Sequence, residues 1–444
     1  MSELPLRGVL DALPDATAPL LGRLLSAARE RGDAVFLVGG PVRDLLLGRA
    51  LADLDLVVEG EGAADLATAA APEGARVVRH DRFGTVRLEA DGVAIDLAGL
   101  RRETYAYPGA LPKVEPAGLD EDLHRRDFTV NAMAIPLSAT ARKAWPALVD
   151  PGGGRADLEA KLLRVLHPQS FHDDPTRALR AARLGTRLGF GLSRGTSSSL
   201  RGALRDGAFG RVSGDRLRRE VEKLFADARA GAGPARALAL LGDWHVLGAL
   251  EPGLELPSSA RAPLRRLGRA LAEPPWPLAR YEPWGAGLAV WLAALDAGLR
   301  RRALRRLAVR GERAARVADF PRARDRWLRA LERARGRGPV DATLHGIDEE
   351  QLLALAAWAP PTGRRRIVRW AREDRGRRPP LGGADLVEMG LAGAEVGRAL
   401  QRVRMAWLDG TVKSREEALA MAAELARRRA AARRRPARRS RSPR

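Results

Sequence analysis

One stretch of twenty residues, GGPVRDLLLGRALADLDLVV, combines residue types that suit phosphate and metal chemistry. Gly39 and Gly40 follow an apolar run, and Arg43 comes three residues later. Asp53 and Asp55 then flank a single leucine. Glycine lets the backbone approach a ligand closely, a helix start offers N–H groups to an anion, and a guanidinium adds a charged hydrogen bond. The stretch therefore predicts a phosphate site beside two carboxylates, the alternative for the glycines being a turn needed only for packing.

The two carboxylates predict a metal site. Asp53 and Asp55 are two residues apart on a predicted strand, so their side chains project from the same face. Adjacent carboxylates repel each other unless a cation relieves the repulsion, and hard oxygen ligands suit magnesium. Asp96, on a neighbouring predicted strand, is a candidate third catalytic carboxylate. The alternatives are a solvated surface pair and, for Asp96, a structural acid.

A phosphate site next to a pair of metal ligands suits the transfer of a nucleotide from a nucleoside triphosphate. One of two Mg²⁺ ions would acidify the attacking hydroxyl, and the other would neutralise the leaving pyrophosphate. The residues thus predict a metal-assisted nucleotidyl transfer.

The elements that must position these residues are short strands joined by a helix. Alternating or apolar runs predict strands at 34–40, 54–60, 84–90 and 93–99, and composition predicts a helix at 62–71. Asp91-Gly92 is a strong two-residue hairpin signal between the last two strands. The pattern predicts a small mixed sheet in the first 150 residues.

The rest of the chain has a different character. From about Asp157 to residue 435, Leu, Ala and Arg recur at helical spacing, and proline and glycine interrupt segments of helical length. The last 18 residues contain ten arginines and no acid, which predicts a disordered end. The second part is therefore predicted to be all-helical.

The formal net charge of +22 predicts a polyanionic partner. Arginine carries nearly all of the excess, because the chain has only five lysines. A surplus that extends beyond the tail suits nucleic acid. The alternative is arginine enrichment that follows from a GC-rich genome.

Several classes of protein are excluded or disfavoured. The chain has no cysteine, which rules out disulfides and thiolate metal sites. No apolar run of about eighteen residues is present, so no membrane span is predicted. The first residues lack the basic and then apolar pattern of a signal peptide, which favours a cytoplasmic protein.

Four further motifs follow the opening stretch along the chain. They are RRDFTVNAMAI at 125–135, DPGGGRADLEAKLLR at 150–164, DDPTRALRAAR at 173–183 and GRVSGDRLRRE at 210–220. The five motifs, in this order, resemble those of the class II tRNA nucleotidyltransferases and bacterial poly(A) polymerases, a branch of the polymerase β superfamily. The resemblance covers about residues 35–220, and any one motif is weaker evidence than the set.

The resemblance implies roles for five charged residues. Arg126 would contact the nucleotide, although a structural ion pair is the alternative. Asp174 and Arg177 would select cytosine and adenine, since a carboxylate accepts from the exocyclic amine and a guanidinium donates to the ring nitrogen. Guanine and uracil present the reverse pattern. Arg180 and Arg183 would reach the phosphates or sugar. Their spacing of three residues puts them with Asp174 on one predicted helix surface, whose alternative is a solvated charged stripe.

The implied fold class is α+β, with a small mixed-sheet, polymerase β-like nucleotidyltransferase head followed by an all-α neck, body and tail. The predicted domains are a catalytic head at 1–150, a helical neck recognising the base at 151–225, a helical body and tail binding RNA at 226–432, and a basic disordered tail at 433–444.

The implied function is template-independent addition of C and/or A, from CTP and ATP, to the 3′ end of tRNA. Poly(A) polymerase is the alternative, because it shares every motif. A non-catalytic RNA-binding protein and a small-molecule nucleotidyltransferase are weaker alternatives. The motifs leave open whether CCA, CC or only A is added, although a stretch at 101–116 resembles a flexible loop needed for the final A.

Overall fold

The computed structural model describes Val9 and residues 11–51, 54–59, 62–80, 84–107, 109–110 and 112–434. The chain divides into two compact units. The first contains Met1–Glu220 and Arg236–Leu254, and the second contains Val221–Ala235 and Glu255–Arg444. The predicted boundary between head and neck at residue 150 stays a prediction.

The first unit carries the strands and about half of the helices. Its strands are β1 (Val35–Val38), β2 (Asp55–Val58), β3 (Arg76–His80), β4 (Thr85–Ala90), β5 (Val93–Gly99), β6 (Arg101–Thr104), β7 (Lys113–Pro116), β8 (Ala134–Pro136), β9 (Leu162–Leu163) and β10 (Gly191–Leu192). The helices that belong to it wholly or in part are α1 (Thr17–Arg31), α2 (Gly40–Leu46), α3 (Ala63–Ala70), α4 (Leu119–His124), α5 (Ala139–Ala144), α6 (Gly154–Glu159), α7 (Ser170–Asp173), α8 (Arg177–Leu188), α9 (Arg194–Arg205), α10 (Gly214–Ala226), α11 (Pro234–Asp243) and α12 (Val246–Leu250).

A six-stranded sheet in the order β3-β4-β5-β2-β1-β8 forms the core of the first unit. Only β2 and β5 pair in parallel, and the other pairs are antiparallel. The predicted small mixed sheet is therefore confirmed, and the four predicted strands are present to within two residues at each end. β1 is buried along its whole length, and its Phe36 packs edge-on against Trp145 with ring centroids 6.1 Å apart.

The turn between β4 and β5 is the two-residue hairpin that Asp91-Gly92 predicts. Asp91 and Gly92 have positive φ angles of 51° and 78°. Two successive residues in the left-handed region give the twist that a two-residue hairpin needs. The hairpin fixes the register of β5, because Ala90 pairs directly with Val93.

All the regular secondary structure among the described residues of the second unit is helical, as predicted. Its further helices are α13 (Ser258–Ala272), α14 (Pro283–Leu292), α15 (Ala297–Arg306), α16 (Gly311–Arg333), α17 (Arg337–Leu344), α18 (Glu349–Trp358), α19 (Pro361–Arg369), α20 (Gly383–Glu388), α21 (Ala394–Leu408) and α22 (Arg415–Arg434). Within the part of the chain that the structure describes, no helix has the length and apolar character to cross a membrane. α22 enters the segment predicted to be disordered at 433–444 by two residues, and residues 435–444 lie outside the described residues.

A buried ion pair connects α17 to α21 in the second unit. Arg404 donates to both carboxylate oxygens of Asp341 at 2.8 Å, and the indole of Trp370 donates to the same carboxylate at 2.7 Å. Asp341 is fully buried, so these donors satisfy a charge that would otherwise be costly to desolvate.

Candidate nucleotide-binding cleft

A polar cleft of about 420 Å³ lies in the first unit. Six of the residues singled out from the sequence line it: Gly39, Gly40, Arg126, Asp174, Arg177 and Arg180. They come from the β1–α2 turn, from the segment after α4, and from the start of α8. These six residues represent three of the five sequence motifs, and Arg216 of the motif GRVSGDRLRRE adds a fourth.

The glycine turn approaches a guanidinium closely. Gly39 has φ 77° and ψ −131°, a backbone conformation that favours glycine, and its N–H donates to the carbonyl of Met133 at 3.2 Å. A Cβ atom on Gly39 would lie 2.8 Å from Nη1 of Arg126. The turn thus leaves room for Arg126 against the backbone, and only glycine can provide that room.

Gly39→Ala is expected to lower the affinity for ATP by at least about tenfold, because the methyl group displaces a guanidinium able to make a charged hydrogen bond to a phosphate. Gly393→Ala is the matched control, since Gly393 has a similar backbone conformation, with φ 55° and ψ −129°, but has open space around its Cβ position. Both variants place a side chain in a region of backbone conformation that favours glycine. Equal ATP affinities in a binding titration of the two would contradict a role for the Gly39–Arg126 contact.

Arg43 points inward rather than into the cleft. Its guanidinium donates to both carboxylate oxygens of Asp44, at 2.9 and 2.8 Å, and to Oδ1 of Asn131. Only 2% of Arg43 is exposed, and it lies directly beneath Gly40. Arg43 therefore holds Asn131, which lines the cleft, in position. The predicted contact of Arg43 with a phosphate stays a prediction.

Asp122 organises the basic wall of the cleft, and sequence reasoning missed it. One carboxylate oxygen accepts from Arg125 at 2.6 and 2.9 Å, and the other accepts from Arg126 at 2.8 and 3.2 Å. Burial of Asp122 would raise its pKa, but the charges of Arg126 and Arg125 outweigh burial and hold the pKa below its ordinary value. The carboxylate is thus ionised at neutral pH and orients two guanidiniums.

Asp122→Asn is expected to destabilise the protein by about 3 kcal/mol at pH 7, because it leaves two partly buried guanidiniums without their carboxylate. The pKa of Asp122 is lower in the folded than in the unfolded state, so its stabilisation is present above about pH 3.9 and is lost as the pH falls through the folded pKa. Urea unfolding of both proteins should give curves that stay apart from pH 5 to pH 8 and converge below pH 4. A constant difference down to pH 3 would contradict this assignment.

Asp174 lies in a break between two helices rather than on the predicted helix surface. It follows α7 with φ −136° and ψ 92°, and α8 begins three residues later. The break lets its Oδ1 accept from the backbone N–H and the hydroxyl of Thr176 at 3.0 and 2.6 Å. The prediction that Asp174 shares one helix surface with the three arginines is wrong, because Asp174 has an extended backbone and lies outside α8.

Two arginines converge on the Asp174 carboxylate. Arg180 donates to Oδ2 and Arg216 to Oδ1, each at 2.8 Å. Burial would raise the pKa of Asp174, but the charges of Arg180 and Arg216 and the bond from Thr176 outweigh it, so the pKa is lowered. Asp174 is therefore a permanent acceptor at neutral pH.

Of the other two predicted arginines of α8, Arg177 lines the cleft and Arg183 pairs with Glu220. Arg177 is buried and donates to the hydroxyl of Ser170 and, at 2.7 Å, to the carbonyl of Arg125. Arg183 donates to Glu220 at 2.9 Å and is not among the described residues that line the cleft. The predicted contact of Arg183 with a phosphate or sugar stays a prediction.

Further cleft residues were not identified individually from the sequence. They are Arg101, Glu103, Tyr105, Pro112, Arg125, Asp127 and Arg216. Arg216 lies inside the motif GRVSGDRLRRE, which marked the region but did not distinguish it from the neighbouring arginines. Glu103 accepts from Tyr105 and Arg125, each at 2.9 Å, so its charge is paired within the site.

Two of the three predicted catalytic carboxylates are described: Asp55 lies at the start of β2, and Asp96 lies on β5. Asp55 and Asp96 are direct partners in the parallel pairing of these strands, which puts two carboxylates on adjacent strands. Asp96 accepts from Arg87 at 2.9 and 3.0 Å. Asp53 lies outside the described residues, and among those that are described no group of three acidic or histidine side chains could hold a metal. The oxygen donors nonetheless fit a hard cation, with Asp53 adjoining them in sequence.

Comparison with known proteins relates the chain to RNA-modifying enzymes. Residues 35–164 match the family model of the poly(A) polymerase head domain. An A-adding tRNA nucleotidyltransferase of Geobacter sulfurreducens is 32% identical over 93% of this chain and 48% of its own length. The chain spans about half the length, or less, of curated relatives that it matches.

Solved structures match over nearly the whole chain. An apo form of a CCA-adding enzyme has a TM-score of 0.75 with 29% identity, covering 94% of this chain and 98% of its own. A Thermotoga maritima CCA-adding enzyme complexed with tRNA has a TM-score of 0.70 with 28% identity, covering 94% of this chain and 97% of its own.

Proposed function

Because the chain belongs to the class II tRNA nucleotidyltransferase family, we propose that it transfers C and/or A from CTP or ATP to the 3′ end of tRNA without a template. The RNA 3′-oxygen forms a bond to the α-phosphorus, the bond to the β-phosphate oxygen breaks, and pyrophosphate leaves with the hydroxyl proton passing to solvent. The observation that carries this proposal is the placement of Asp174 and Arg177 in one cleft with the Gly39 turn.

The hydrogen bonds of the cleft leave capacity for reading a base edge. Oδ1 of Asp174 already accepts three hydrogen bonds, whereas Oδ2 accepts one from Arg180, so Oδ2 is the oxygen that accepts from an exocyclic amine. Arg177 donates one N–H group to Ser170 and one to the carbonyl of Arg125, and a guanidinium has five N–H groups, so others can donate to a ring nitrogen. Guanine and uracil instead place a hydrogen-bond acceptor opposite Oδ2 and a hydrogen-bond donor opposite Arg177. Neither pair can form a hydrogen bond, so these two bases are not selected.

The charge of the cleft suits a triphosphate. Six arginines and three acids are among the described residues that line it. Arg126 stands against the Gly39 backbone, and Arg180 keeps part of its side chain exposed toward solvent. We assign the phosphates to these two arginines, because a surplus of fixed positive charge stabilises a polyanion without reorganisation.

Asp53 and Asp55 are proposed to hold two Mg²⁺ ions, which when bound acidify the attacking hydroxyl and neutralise the leaving pyrophosphate. Asp96 is proposed as a third catalytic carboxylate, kept in position by Arg87 on the adjacent strand. Arg43 is proposed to act through Asn131, which it fixes at the floor of the cleft.

The remaining parts of the proposal concern the partner and the location. The helical second unit and the basic tail are proposed to bind the RNA backbone, which the net charge of +22 supports. A cytoplasmic location is proposed and is supported by the absence of cysteine from the sequence.

The test is to incubate the protein and Mg²⁺ with tRNA ending before the first C and with tRNA ending in CC, supplying CTP and ATP separately and together. Ordered addition that stops at CCA would establish CCA addition, and extension of only the CC-ended tRNA would establish A addition. Long A tails on unrelated RNA would instead support the poly(A) polymerase alternative. Absence of any incorporation would overturn the proposal.

A further inference from the structure

The loop between β6 and β7 holds an exposed aromatic side chain beside the cleft. Two of the three tyrosines of the chain, Tyr105 and Tyr107, are in this loop. Tyr105 and Pro112 line the cleft, so the loop forms part of its rim. Tyr107 is 59% exposed and, among the described residues, shares that degree of exposure for a large apolar side chain only with Val387 of the second unit.

The loop around Tyr107 is fixed to the first unit by hydrogen bonds. Gly109 donates from its N–H to the carbonyls of His172 and Asp173 at 3.1 and 3.2 Å, and its own carbonyl accepts from Arg216 at 2.7 Å. Ala110 donates to the carbonyl of Tyr107 at 3.0 Å, which closes a turn. The aromatic ring of Tyr107 therefore extends from a turn that is held in position by the hydrogen bonds of Gly109, two residues away.

The same anchor connects the loop to the base-reading carboxylate. Arg216 donates with Nη1 to the carbonyls of Gly109 and Ala110, at 2.7 and 3.2 Å, and with Nη2 to Asp174 at 2.8 Å. Tyr107 itself is not among the described residues that line the cleft. A nucleotide held by Asp174 thus occupies the interior, whereas the ring of Tyr107 is open to a base that arrives from outside.

We propose that Tyr107 stacks against the terminal base of the RNA acceptor and so positions the 3′ end at the rim of the cleft. The inference rests on the proposed function for the identity of the ligand. Single-stranded RNA ends are bound by stacking on aromatic rings, and tyrosine does this at low entropic cost because it has two side-chain torsions. Every base offers a π-face, so the contact suits an acceptor whose last base changes as the end grows.

The test is a binding titration without nucleoside triphosphate, using a tRNA acceptor-stem hairpin that ends in CC and carries a fluorescent base analogue at its 3′ terminus. Tyr107→Ala is expected to weaken binding about tenfold and to remove the fluorescence quenching of the analogue. Tyr107→Phe should retain both properties, since it keeps the ring. That variant is the matched control, because it changes the same position.

A mutant cycle isolates the stacking contact. An RNA whose terminal nucleotide lacks its base should bind wild type about as weakly as the complete RNA binds Tyr107→Ala, and the two changes together should cost no more than either one. Additive losses, or an unchanged affinity of Tyr107→Ala, would overturn the proposal. A raised KM for ATP with unchanged RNA affinity would also overturn it, by assigning the ring to the incoming nucleotide.

This experiment separates the inference from the proposed function. The binding assay requires no turnover, so it can fail while the wild-type protein adds nucleotides to tRNA. Conversely, a wild-type protein that stacks an RNA end but incorporates no nucleotide would leave the role of Tyr107 intact and overturn the proposed transfer.

Discussion

Replacing Asp53 and Asp55 together by asparagine is expected to lower the rate of nucleotide transfer about a thousandfold, because a bound metal supplies several kcal/mol of charge stabilisation in the transition state. Affinity for tRNA should be kept or slightly raised, since two negative charges are removed from a surface that meets phosphates. Single-turnover transfer and RNA binding, measured on the same preparations, check both parts.

The matched control is Asp91→Asn, which removes an exposed carboxylate from the first unit, as the replacement of Asp55 does. Asn tolerates the left-handed conformation that Asp91 adopts in its hairpin, so the fold is preserved. The metal role would be abandoned if the double variant transferred nucleotides as fast as this control. Asp96→Asn, assayed alongside, tests the third carboxylate, and a rate equal to that of the control would make Asp96 a structural acid.

Asp174→Asn is expected to reduce the preference for ATP and CTP over GTP and UTP from about 10⁴-fold to about tenfold, because a site that reads a base by buried polar contacts derives its selectivity from them. The amide can donate as well as accept, so it no longer opposes the carbonyl oxygen of guanine or uracil. Values of kcat/KM for the four triphosphates, each with the same CC-ended tRNA, measure the effect.

Asp173→Asn provides the control for that experiment. Asp173 is the preceding residue and is partly exposed, with its carboxylate 3.6 Å from His167. Its replacement should leave the selectivity unchanged. Retention of full selectivity by Asp174→Asn, at any overall rate, would show that base choice does not depend on this carboxylate.

The features that the sequence predicted best are those set by neighbouring residues. The strand at 93–99 and its Asp91-Gly92 turn follow from alternation and from two residues that tolerate positive φ, and both are local properties. The placement of Asp174 and Arg177 in one cleft was likewise foreseen, because one motif contains both residues.

The features that the sequence could not predict depend on contacts between distant segments. The burial of Arg43 and its hydrogen bonds to Asp44 and Asn131 are an example, because Asn131 lies 88 residues further along the chain. Asp122 stands in a run of acids, LDEDLH, and no local pattern distinguishes the one that becomes fully buried. In a chain so rich in arginine, residue type alone does not separate Arg216 from the arginines around it.

The residues that line the cleft are widely separated in the sequence, from Gly39 to Arg216. A polypeptide is synthesised from its N-terminus, so the glycine turn leaves the ribosome well before the proposed base-reading residues Asp174 and Arg177 do. A fragment that ends at residue 164, where the match to the head-domain family stops, lacks Asp174, Arg177 and Arg216 altogether. Under the proposed function, selective nucleotide binding therefore arises only after the helical segment through Arg216 has been made, and shorter nascent chains are expected not to discriminate between bases.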